Sequence, residues 1–149
     1  MSACKRQAMI DAPVESIWDL VGNPARHPEW WPRVVEVEGE RFSQGDQYVQ
    51  VTRSPTGSVQ TTFLVESRED LKEVRLRCLA TGTYAHWVLT GAQGGTFVDL
   101  EMGMDPNGLS NRLFDAAIGR RYFNRWAEES IDGLGRAVSE RHLRRPAES

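Results

Sequence analysis

The stretch TYAHWVLTGAQGGTFVDLEM, residues 83–102, alternates apolar and polar side chains on both sides of a glycine-rich centre. A period of two sends successive side chains to opposite faces of a strand. GAQGG at 91–95 therefore reads as the turn of a hairpin. A phosphate-cradling glycine loop would lead from a strand into a helix, whereas here the chain resumes as a strand. The same period reaches back to Val34 through VVEVEGE (34–40), DQYVQVTR (46–53), SVQTTFLVES (58–67) and EVRLRCLA (73–80). The turn clusters SQGD, SPTG, REDLK and TG separate these runs. Six short strands with tight connections predict an antiparallel meander.

Helical signals flank the meander. A first strand over Lys5–Ile10 leads into DAPVESIWDLVGN (11–23), where Pro13 suits the first helical position and Glu15 the first turn. Val14, Ile17, Trp18 and Val21 form the apolar stripe of that helix, and Gly22-Asn23-Pro24 ends it. A second helical turn around Ala25–Trp31 is interrupted by Pro28 and Pro32. Beyond Asp105-Pro106-Asn107-Gly108 the period becomes 3.6, and Leu109 to about Leu143 reads as one long helix. At roughly 100° per residue, Leu109, Leu113, Ala116, Arg120, Phe123, Ala127, Ile131, Leu134 and Val138 share its sheet-facing side. The order predicts an α+β fold, an antiparallel sheet with helices on one face. Small Ala116 and Ala117 leave room for a partly apolar cavity, which Ile131, Leu134 and Val138 seal at the far end.

The 149 residues suit one domain, residues 1–145, with the tail PAES (146–149) expected to be disordered. Net charge is −3 with both signs mixed along the chain, which argues against a nucleic-acid partner. The basic run RHLRR at 141–145 reads as a solvated helix end. No apolar run approaches a membrane span and MSACKRQAMI lacks a signal-peptide core, so a cytoplasmic location without stable membrane insertion is expected. Cys4 and Cys78 are expected to be free thiols, Cys78 packing as a small hydrophobe in its strand.

The order of elements, IDAPVESIWDLVGN, PEWWPRV followed by VEVEGE, GGTFVDLE, and a last helix closing on SIDGLGRAVSE together resemble the polyketide cyclase/dehydrase-like branch of the SRPBCC superfamily. The resemblance covers nearly the whole chain. It implies the START-like, or helix-grip, fold shared with the birch-pollen allergen: a curved seven-stranded antiparallel sheet, two short helices after the first strand, and a long C-terminal helix over a hydrophobic cavity. The superfamily includes lipid carriers, aromatase/cyclases and hydroxylase subunits, so fold alone does not give activity. Rieske-type relatives hold iron with a His/His/carboxylate set. His27, His86 and His142 form no such cluster, and no metal or cofactor is expected.

Candidate cavity residues follow from strand and helix phase. Phe63, Val65, Leu76, Cys78, Trp87, Leu89, Val98 and Leu100 share the inner face of the sheet. Phe63, Trp87, Leu89 and Val98 are taken as cavity residues, together with Leu113, Ala116, Ala117 and Phe123 from the helix. Arg120 falls in the middle of the helical stripe. It either snorkels to the cavity mouth or pairs with a carboxylate on the sheet, or it receives a carboxylate, enolate or carbonyl of a ligand. Arg53 ends a strand in phase with Val49 and Val51 and either reaches the concave side or is solvated. In HPEWWP (27–32), Trp31 precedes a proline and is assigned as an anchor, and Trp30 as the pocket rim. His86 and Tyr84 have the outward parity, but a one-residue register slip would bring both inside as an acid/base pair. Phe114, Ile118, Tyr122 and Trp126 form a second stripe, covered by the short helices and loops or by a homodimer partner.

Three functions fit these residues. The first is binding of a small hydrophobic or amphipathic molecule, such as a lipid, polyketide or isoprenoid. The second is an aromatase/cyclase or dehydratase using the same cavity, with Arg120 and Arg53 or Tyr84 polarising carbonyls. The third is a protein–protein module. Arginine is a poor general base because its pKa stays above about 12, which places binding first.

Overall fold

Strand β1 (Ser2–Ile10) opens the chain, followed by helix α1 (Val14–Val21), a 3-10 turn (Pro24–Arg26) and the short helix α2 (His27–Trp30). The meander comprises β2 (Val34–Glu38), β3 (Gln47–Ser54), β4 (Gly57–Glu69), β5 (Glu73–Cys78), β6 (Thr83–Ala92) and β7 (Gly95–Met104), and helix α3 (Arg120–Arg144) follows. These elements come from a computed structural model. The structure describes residues 2–54, 57–105, 112–113 and 119–144, excluding the side chains of 2, 54 and 141–144. The predicted start of the long helix near Leu109, and the tail PAES, lie outside the described residues.

The seven strands form one antiparallel sheet in the order β1-β7-β6-β5-β4-β3-β2. Five consecutive hairpins build it, and β1 joins the far edge beside β7. Gly82 and Gly94 adopt φ of +80° and +87° in the turns before β6 and β7, a backbone region that favours glycine. At Gly82 a Cβ would lie 1.7 Å from the Asp105 carbonyl oxygen, so the β5–β6 turn also depends on the missing side chain.

Helix α3 packs on β1 and β7 and touches α1 and α2, while α1 leans on β6 and β7. The inner sheet face supplies Val65, Val74, Leu76, Trp87, Leu89, Val98, Leu100 and Met102 to the core. From the helices come Ile17, Leu20, Val21, Phe123, Ala127, Leu134 and Val138. Each of the large aliphatic and aromatic side chains among them contributes roughly 1.5–3 kcal/mol when fully buried. The eight inner-face residues predicted from strand phase, Phe63 to Leu100, are all buried.

The opposite sheet face is a polar lattice. Glu66 accepts 2.6 Å bonds from Nε of both Arg75 and Arg77, and Arg75 also lies over the Tyr84 ring. Tyr84 donates to Glu101 at 2.6 Å, and His86 Nε2 lies 2.9 Å from Glu73. His86 pairs with Arg75 and Glu101 in the ladders, so the unslipped register holds and the Tyr84/His86 pair faces away from the helices.

Candidate functional site

Beneath α3, the HPEWWP segment builds an aromatic block. Trp30 ends α2, and Trp31 turns extended (φ −88°, ψ 111°) ahead of Pro32. Because one residue is helical and the next extended, the divergence expected of neighbours within one regular element does not arise. The two indoles stack, with centroids 5.5 Å apart and planes at 12°. Trp30 Nε1 donates to the Leu20 carbonyl at 3.3 Å, and Trp31 Nε1 donates to Ser130 Oγ of α3 at 2.7 Å. The expected division into rim and anchor is thereby corrected: at 7 % and 5 % exposure, both are anchors. Trp87 meets both edge-on, at 5.5 and 5.4 Å.

His27 completes the block. It is fully buried, edge-on to Trp30 and Trp31, and Nε2 donates to the Val21 carbonyl at 2.9 Å. Burial lowers its pKa to about 4, against an opposing push from that hydrogen bond. The imidazole is therefore neutral near pH 7. Among the described residues, its Nδ1 and the indole Nε1 of Trp87 have no hydrogen-bond partner.

A second zone lies on the same sheet face toward β3. The ladders place Tyr48, Phe63 and Cys78 in one row across β3, β4 and β5. Tyr48 stacks on Phe63 (5.7 Å, 20°), and Phe42 meets it edge-on. Its hydroxyl is buried without a partner among the described residues, and burial, with a smaller push from Cys78, drives its pKa upward. One same-face step along β3, Gln50 is only 3 % exposed and donates Nε2 to Thr52 Oγ1 at 2.8 Å. This zone combines apolar side chains with a buried hydroxyl and a buried amide.

The sequence matches the family model for polyketide cyclase/dehydrase and lipid transport over residues 1–139. The chain belongs to this family. None of the curated proteins matches it. Among solved structures, a START superfamily protein from Mycobacterium smegmatis is similar at 11% identity and TM-score 0.69, covering 95% of this chain and 97% of that one. A protein from Nitrosomonas europaea aligns at 14% identity and TM-score 0.72, covering 95% and 97%. The di-domain ARO/CYC StfQ from the steffimycin biosynthetic pathway aligns at 17% identity and TM-score 0.69, covering 95% of this chain and 51% of that one. At such identities the likeness shows the shared helix-grip fold.

Within this polyketide cyclase/dehydrase and lipid transport fold, the predicted site residues divide. Phe63, Trp87, Leu89, Val98 and Phe123 lie buried between sheet and helices. Ala116 and Ala117, like Phe114 and Ile118, lie outside the described residues. Leu113 is 62 % exposed and does not line the interior. Arg120 is also exposed: it begins α3 beside edge strand β1, where its carbonyl lies 3.5 Å from Cys4 Sγ. Its side chain reaches solvent there, which corrects the placement inside the apolar stripe.

Arg53 is exposed on the outward parity of β3, because Tyr48 and Gln50 occupy the inward one. The Val49/Val51 alternation is the more apolar of the two phases and misdirects the reading. The better signal is the aromatic Tyr48, which pairs across the ladder with Phe63. Trp126 is covered from within the chain and Tyr122 in part. Trp126 donates to the Pro32 carbonyl at 2.7 Å, and Arg33 lies over the Tyr122 ring while pairing with Glu129 at 3.1 Å.

A surface hollow of about 840 Å³ lies outside the grip, between the end of α1 and the β4–β5 turn. Its Arg68 is committed to the Gly22 and Phe42 carbonyls and stacks over Trp18, which makes it a joint between loops.

Proposed function

We propose that the protein binds a small hydrophobic or amphipathic molecule between the inner sheet face and the helices. The observation that carries this is the pair of buried polar groups on that face without a partner among the described residues, the Tyr48 hydroxyl and the Trp87 indole N–H. An unpaired buried donor costs about 1–3 kcal/mol. Such a cost persists most readily where a bound molecule supplies the missing partner. Family membership, which includes lipid transport, points the same way.

Turnover ranks behind binding. A cyclase or dehydratase needs a group that moves protons beside the substrate. Tyr84 and His86 face the opposite side of the sheet, and Arg53 and Arg120 are exposed. Burial holds the inner-face Tyr48 phenol against ionising, so it can donate a hydrogen bond but does not serve as a base. The experiment is native mass spectrometry of the protein purified from its own source, followed by titration with the neutral apolar dye Nile red. A co-purifying small molecule, or saturable dye uptake, is the expected result. Protein that arrives empty and fails to take up the dye would overturn the reading.

A further inference from the structure

We propose that the ligand is an uncharged, oxygen-bearing molecule, a ketone or alcohol on an apolar skeleton, whose oxygen meets Tyr48 and Gln50 on the β3–β5 part of the inner face. The inference rests on the ligand-binding reading above and adds the class of ligand and the residues that select it. Tyr48 contributes a hydroxyl that is buried and, among the described residues, unpartnered, on a ring packed against Phe42 and Phe63. Gln50 adds a carboxamide from the neighbouring same-face position, one of its N–H groups already given to Thr52. A phenol donates to a ketone, and both phenol and amide donate to and accept from an alcohol.

Charge decides the class. Among the described residues the buried polar set is His27, Gln50, Thr96 and Ser130, with no arginine, lysine, aspartate or glutamate. His27 is the neutral imidazole of the aromatic block, so it offers no cation near pH 7. Arg77 is bound to Glu66 on the far face, and Arg33 is paired with Glu129. A carboxylate or phosphate placed beside Tyr48 would be buried without a counter-charge, a penalty of several kcal/mol. A neutral oxygen carries no such penalty and satisfies the hydroxyl.

The test uses the full chain and probes of matched length: 2-pentadecanone, 2-pentadecanol and tetradecanoic acid at pH 8, each displacing Nile red. The ketone and alcohol are expected to compete at least about tenfold more strongly than the acid. Tyr48→Phe, which removes only the hydroxyl, is expected to weaken the ketone about five- to tenfold, the value of one net hydrogen bond. Its competition by n-pentadecane should be unchanged, and thermal melts verify that it folds. Gln50→Leu is a second variant, expected to weaken the alcohol. Acid binding as tight as ketone binding would overturn the neutral-ligand inference and leave ligand binding standing. Ketone affinity equal in wild type and Tyr48→Phe would overturn the assigned contact. Failure to bind even Nile red would overturn both this inference and the reading beneath it.

Discussion

Burial of His27 ties one imidazole to the stability of the whole protein. An unfolded-state histidine titrates near 6.5, and in the fold the value falls to about 4. Between those values the unfolded chain binds the proton and the native state does not. Stability therefore rises with pH from about 4 to 6.5, is fully present above that, and falls as acid is added. The difference corresponds to about 3 kcal/mol. The urea midpoint should drop between pH 7 and pH 5, and His27→Gln should flatten that slope while lowering stability at pH 7; equilibrium melts in buffers across this range check both. Tyr48 gives the opposite sign. Removing an unpartnered hydroxyl lifts a desolvation penalty, so ligand-free Tyr48→Phe should be more stable by about 1 kcal/mol, read by thermal or urea unfolding. Loss of stability would mean that the hydroxyl has a partner in solution. Neither residue stands out in the sequence, because a lone histidine beside a proline and a tyrosine in a strand both have ordinary surface uses.

The elements themselves were legible from period and punctuation. Strand runs and turn clusters matched the observed strands to within a few residues, since a sheet with one buried face must alternate. What period alone misjudged was phase where two readings compete. In β3 the valines and arginine lie outward, and the aromatic and amide residues inward. Helix α3 shows how close packing adds information that propensity lacks. A Cβ on Gly133 would lie 2.6 Å from the Trp30 carbonyl oxygen and 3.0 Å from Pro32 Cδ, whereas Gly135 faces open space. Gly133→Ala should therefore cost about 1–3 kcal/mol by overpacking the helix against the HPEWWP segment. Gly135→Ala should gain up to about 1 kcal/mol of helix propensity. Differential scanning calorimetry of the pair separates the two effects, and equal shifts would refute the contact.

Over the whole molecule, the sheet divides two kinds of chemistry. One face carries paired charges, with Glu66 between Arg75 and Arg77 and with His86 on Glu73. The other carries the aromatic block and the Tyr48–Gln50 zone. Substitutions on the polar face, His86→Ala and Tyr84→Phe, should leave Nile red affinity within about twofold of wild type, measured by the same titration; a tenfold loss would move the site to that face. Sequence by itself determined the α+β class, the meander, the terminal helix and the family resemblance. These follow from local periodicity and from glycine and proline at the turns, which neighbouring residues impose on one another. Tertiary structure alone decided which phase of β3 faces inward and that Trp30 and Trp31 stack as joint anchors. It also decided that Arg120 meets solvent at the sheet margin and that the Tyr48 hydroxyl and Trp87 indole N–H are buried without hydrogen-bond partners among the described residues. Those outcomes depend on contacts between residues as far apart as Trp31 and Ser130, which no local pattern encodes.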